Sequence, residues 1–236
     1  MRSFNFLLAA GCALLAAVSC GIRLWFAYEL LALPCFAAVI LALPFASFLH
    51  ELGHMLFGAA VKIKSKPKFS LFGSSRCALI PKTDKNLRGR LIFTALGGII
   101  VNALFIVLGF VTIFVSVLPA WLCVFMPASV FLFLMNTVPA QLQSGKTDGQ
   151  VLSGLISLSD EAVVMLAVMT VQARVLNGAK IEEVDEGLLF DLPVIREDDE
   201  SFIALTGLRY EYCKAKGDEQ GEKLYAARLK ELQIYT

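Results

Sequence analysis

The chain has 236 residues, of which 57% are hydrophobic and 17% charged, with a formal net charge of +1. Its mean hydropathy is +0.70. A soluble globular chain is about a quarter charged and about half apolar, so this composition excludes an ordinary soluble domain, and no nucleic acid is expected as a partner.

Apolar runs approaching the roughly 20 residues needed to cross a bilayer cover 5–22, 30–49, 91–118 and 120–142. The reading is a mainly α, polytopic membrane protein with about four transmembrane helices, the first within an N-terminal segment, 1–29. Nine of the 21 Lys and Arg lie in 62–90, which places that loop in the cytosol by the positive-inside rule. With Met1-Arg2 also inside, four crossings return the C-terminus to the cytosol. Arg2 followed by an apolar run ending Ala16-Ala17-Val18-Ser19-Cys20 has the form of a cleaved signal as well. Either version leaves the second span running from outside to inside. Six cysteines, at 12, 20, 35, 77, 123 and 213, form no CxxC pair and lie mostly in apolar runs. They read as small hydrophobes rather than as a disulfide framework or a metal site.

After the second span the period changes to two. Val61, Ile63, Phe69 and Leu71 share one parity and Lys62, Lys64, Lys66 and Lys68 the other, which predicts a strand over 61–71. Pro67 lacks a donor and makes it an edge strand. Phe72-Gly73-Ser74-Ser75 is the expected turn into a second strand, 76–80, giving a small membrane-associated β-hairpin within the basic loop 61–90.

Beyond Gly149 the hydropathy falls. Ser159-Asp160-Glu161 starts a helix over 162–176 that Asn177-Gly178 stops, so 150–179 reads as a peripheral or membrane-associated helix, with weak support for a fifth crossing. Residues 180–236 hold fourteen acids against eight bases. Helical spacing of Phe202, Leu205, Leu208 and Tyr212, then of Leu224, Leu229 and Leu232 after Gly217-Asp218, predicts a soluble cytosolic helical hairpin. It reads as an accessory lobe, and as the place for a regulatory protein if there is one.

The chemistry centres on His50-Glu51-Leu52-Gly53-His54. Residues i and i+4 share a helix face, so the only two histidines of the chain can present both imidazoles to one metal, with Glu51 beside them to take a proton from a water. An ionisable Glu at the edge of hydrocarbon points to function by default, because it is costly unless paired or wet. A catalytic zinc usually takes a third protein ligand. Asp148, just past the fourth span, returns to the depth of His50 and His54, whereas Asp84 lies in the basic loop and Glu29 on the opposite side; the alternative for Asp148 is a plain helix cap. Asn102 and Asn136 are amides in apolar helices. They either hold a substrate backbone or orient the site, or they serve as interhelical hydrogen-bonding glue, with glycines allowing close approach.

HELGH ending one span, Gly97-Gly98 followed by Asn102 in the next, and Asn136-Thr137-Val138-Pro139 followed by Asp148-Gly149 after that occur in the order found in the site-2 protease family of intramembrane zinc metalloproteases. The chain resembles that family over about 30–149. The resemblance implies a three-helix catalytic core, one Zn²⁺ held by His50, His54 and Asp148, Glu51 as the general base, and a transmembrane protein as substrate within the lipid bilayer. The chain departs from the family's pattern in two places: Gly98-Ile99 stands where Gly-Pro is common, and Gln141-Leu142-Gln143-Ser144-Gly145 lengthens the path from Pro139 to Asp148. A rival from another class is a catalytically silent membrane scaffold that binds a partner helix; a second is a membrane-anchored metalloprotease acting on soluble substrates. Glu51 speaks against the first and the burial of HELGH against the second.

Overall fold

The computed structural model describes residues 2–29, 32–68, 76–115, 118–142 and 145–232. Phe69, Leu71, the 72–75 turn, and Gln143 and Ser144 of the lengthened loop lie outside the described residues. The chain is mainly helical, and its contacts divide it into two compact units: 1–60, 65–78 and 93–152 form one, and 61–64, 79–92 and 153–236 the other.

The first unit carries the apolar helices α1 (Arg2–Tyr28), α2 (Ala32–Ala60), most of α3 (Leu87–Phe114) and α4 (Met126–Thr137), the last preceded by a 3-10 turn, Ala120–Phe125. Among the described residues four helical segments are long and apolar enough to cross a membrane: Phe4–Tyr28, Ala37–Ala60, Leu87–Phe114 and Ala120–Thr137. Large side chains such as Phe4, Leu7, Leu15, Phe26, Leu41, Leu104 and Phe114 are exposed on them. That surface would be a liability in water and is compatible with a multi-pass membrane protein, where acyl chains cover it. The helices meet around Cys20, Leu24, Ala42, Ala46, Ala120, Cys123 and Ala128, with α1 packed on α4 and α2.

Several boundaries differ from the sequence reading, three of them with a direct physical cause. The second span does not stop at 49 but continues through HELGH to Ala60, so the motif sits inside a helix rather than at its end. Lys62, at φ 61°, turns the chain out of α2, so β1 begins at Ile63 and runs to Lys68, paired with β2, Arg76–Pro81. The fourth span stops at Thr137 rather than 142, because Val138 precedes Pro139 and is extended, a conformation that the proline ring imposes on its predecessor. A second small sheet follows, β3 (Gln141–Leu142) antiparallel to β4 (Gly145–Lys146).

α5 (Asp148–Ser157) and α6 (Asp160–Leu176) meet at 91° and together are apolar enough to form one broken span. Ser159 caps α6 through Ala162 N. In the second unit Val164, Val168 and Val171 of α6 share a core with Val184, Leu189 of the short helix α7 (Gly187–Phe190), and Leu205 and Tyr212 of α8 (Glu200–Lys216). Asp199 caps α8, Gly217 at φ 72° ends it, and α9 (Glu219–Leu232) folds back beside it. The predicted C-terminal hairpin is thus present, and α6 shares its core.

Candidate metal centre

His50 and His54 lie one helical turn apart on the buried face of α2, where their rings meet edge to face with centroids 4.8 Å apart. Both must be held against α3, and glycine is what permits it. A Cβ placed on Gly53 would lie 2.5 Å from the Gly97 carbonyl oxygen, and one on Gly97 would lie 2.5 Å from that of Gly53, so the two backbones touch with nothing between them. At the next residue, a Cβ on Gly98 would lie 2.5 Å from both His50 Cε1 and His54 Nε2. Gly98 is therefore a floor under the imidazoles.

The outer nitrogens of the rings are both engaged by α3. His54 Nδ1 is 2.8 Å from the Thr94 carbonyl oxygen. A carbonyl only accepts, so His54 Nδ1 carries a proton and Nε2 is the nitrogen turned to the site. His50 Nδ1 is 2.9 Å from the amide of Asn102, a residue with no solvent exposure. Asn102 is thus tied to the site through His50, and its Oδ1 is a buried atom without a hydrogen-bond partner.

Asp148 closes the site. Its Oδ2 is 3.1 Å from His50 Nε2 and 3.3 Å from His54 Nε2, and those two nitrogens are 3.2 Å apart. Oδ2 is buried and meets hydrogen-bond geometry with neither ring, so three acceptor-capable atoms converge on one point. The edge of a tetrahedron whose centre is about 2.1 Å from each ligand is about 3.4 Å. The three mutual distances fit a tetrahedral divalent ion with nitrogen and oxygen ligands. The described residues that could hold a metal ion are these three.

Asp148 reaches this place despite the lengthened connection. The β3–β4 hairpin loops residues 141–146 out of the chain path, and Thr147 ties the two ends together: its N–H donates to the Ala140 carbonyl at 3.0 Å, and its hydroxyl donates to the Val138 carbonyl at 2.8 Å. The same hydroxyl accepts from Ala140 N at 3.1 Å and from Gln150 N at 3.3 Å, the second of these as the N-cap of α5. The cap is Thr147, so the carboxylate of Asp148 is left to face the imidazoles. Gly149 packs on the Thr137 carbonyl with no room for a side chain.

Glu51 follows His50 in α2 and is buried. Asn136 is half-buried in the last turn of α4, and the tie that the structure gives it runs through its backbone, since a Cβ on Gly149 would lie 3.0 Å from its carbonyl oxygen. The two weaker ligand candidates lie elsewhere. Asp84 pairs with Arg174 at 3.1 Å, and that hydrogen bond holds its carboxyl below the usual range; Glu29 is exposed at the end of α1.

Sequence reasoning missed Thr94, Gly53 and Thr147. Thr94 acts through its backbone, which no residue pattern reveals. Thr147-Asp148-Gly149-Gln150, by contrast, matches the helix-start pattern of a Thr with Gln three residues on, and would have identified the cap. Comparison of the chain with protein-family models, with curated proteins and with solved structures finds no match.

Proposed function

We propose that the protein is an intramembrane zinc metalloprotease of the site-2 type that cleaves a transmembrane segment of a membrane-protein substrate. The observation that carries this reading is the triangle of His50 Nε2, His54 Nε2 and Asp148 Oδ2, its two histidines buried with Glu51 in α2, a helix apolar enough to span a bilayer. A purely structural zinc site is closed by four protein ligands, whereas three ligands leave the fourth position open for chemistry.

A zinc ion bound there would lower the pKa of a water toward about 7 and polarise the scissile carbonyl. The chain's own residues supply the rest. Glu51 removes the proton of the attacking water and returns it to the leaving amine. Thr94 holds His54 with Nε2 turned to the site. Asn102 does the same for His50 with its amide turned so that Oδ1, otherwise unsatisfied, accepts from Nδ1–H; binding a metal selects this arrangement because it frees Nε2.

A peptide bond in a transmembrane helix is shielded by the helix's own hydrogen bonds, so the substrate must unwind first. β1 is the proposed platform, its edge pairing with the unwound segment as an added strand. Proline substitutions along β1 that leave cleavage undiminished would remove this step. The basic loop around β1 and β2 faces the cytosol in this reading, as do both termini, with the metal near the cytosolic face; Asn136 is assigned to substrate holding.

The reading is tested by metal analysis of the purified full chain without chelators. One zinc per chain is expected, falling to near zero in His54→Ala and strongly reduced in Asp148→Ala. Equal zinc in wild type and His54→Ala contradicts it.

A further inference from the structure

Away from the metal centre, two thiols meet in the core of the first unit. Cys20 of α1 and Cys123 of the 3-10 turn before α4 are 103 residues apart in sequence, have no solvent exposure, and place their Sγ atoms 2.8 Å apart. Small residues, Ala42 and Ala46 of α2 and Ala120, let the backbones close in, and Cys123 Sγ lies 4.0 Å from the Cys20 carbonyl oxygen. A disulfide needs sulfurs about 2.05 Å apart, so a shift of less than about 1 Å joins them.

We propose that Cys20 and Cys123 form a disulfide that pins α1 to the start of α4. Chain order brings Cys20 near the end of α1 and Cys123 to the start of the α4 arm. Both therefore lie toward the end of the bundle opposite the one at which α2 ends, the end from which the chain enters the basic loop. With that loop in the cytosol, the orientation taken above, the pair lies toward the outer compartment, where disulfides persist. Joining the thiols releases two protons and two electrons. The electrons pass to a disulfide-bearing oxidant, protein or small molecule, which leaves as two thiols after exchange through a mixed disulfide. Both sulfurs are sealed in the packed bundle, so exchange precedes the final packing of α1, and the finished bond resists reductant until the protein is denatured. The scatter of six cysteines conceals the pair because nothing in the spacing links positions 20 and 123.

The test is a count of reactive thiols in the full-length protein taken from membranes, acid-quenched, denatured and labelled with a polyethylene-glycol maleimide. Wild type is expected to take four labels before reduction and six after it. Cys20→Ser and Cys123→Ser are expected to take five under both conditions, and Cys12→Ser three before and five after. Trypsin should release fragment 3–23 joined to fragment 91–146, and in Cys12→Ser the same pair. Six labels on unreduced wild type would overturn the proposal, as would loss of the joined fragments in Cys12→Ser. The labelling count does not depend on zinc or cleavage, so its failure leaves the metal centre's reading intact and the converse holds too.

Discussion

The backbone N–H of Thr147 donates to the carbonyl of Ala140 across 3.0 Å, so the chain leaves for the β3–β4 hairpin and returns at nearly the same place. The length of that excursion is irrelevant to where Asp148 lands; the Thr147 hydroxyl is what matters. Thr147→Val keeps the shape and removes the hydroxyl. It is expected to cost about 1 kcal/mol as a lost cap and to weaken zinc binding, while Thr147→Ser restores both. Zinc titration of the three proteins checks this.

Gly98 is predicted to be intolerant of any side chain. Gly98→Ala puts a methyl group 2.5 Å from His50 Cε1 and His54 Nε2, so the rings must shift and bound zinc is expected to fall well below the wild-type level. Gly207→Ala is the control: a Cβ there meets nothing within 4 Å, and in the interior of α8 it should stabilise by up to about 1 kcal/mol. Thermal unfolding and bound zinc, measured together, separate the two.

Asn102→Leu fills the same space but removes the amide partner of His50 Nδ1. Loss of such an outer partner typically costs 10–100-fold in metal affinity, and that range is expected here. Asn102→Asp, which keeps an acceptor oxygen, should retain most of the affinity. Equal affinity in wild type and Asn102→Leu would show that Asn102 serves only to join α2 and α3.

In the C-terminal lobe the Tyr212 hydroxyl donates to Glu186 at 2.6 Å. That bond, together with burial, pushes the tyrosine up to about 12 from 10.0. The folded value is raised, so the stabilisation is fully present below about pH 10 and is lost as pH rises through about 12. Tyr212→Phe is expected to lose about 1.5 kcal/mol near neutral pH, and the difference from wild type should vanish in strong alkali. Chemical denaturation at the two pH values measures it.

Much of this arrangement is legible in the residues because it follows from local rules. Apolar length marks the four long helices, Ser159 and Gly217 mark helix ends, and the i, i+4 histidines mark a shared face. Convergence was harder to read. That Asp148 joins His50 and His54 depends on a hairpin whose ends Thr147 ties together, and that His54 presents Nε2 depends on the backbone of Thr94. The true end of α2, almost two turns beyond His54, was concealed because His50, Glu51 and His54 interrupt the apolar run that marks the span.

The most direct measurement compares wild type with Glu51→Gln, each co-expressed with a tagged single-span membrane protein, scoring zinc content and substrate cleavage in the same preparations. Full zinc in both proteins, with cleavage by wild type alone, is the expected result. Cleavage by Glu51→Gln at the wild-type rate, or zinc-loaded wild type that leaves every single-span candidate as intact as the variant does, would contradict it.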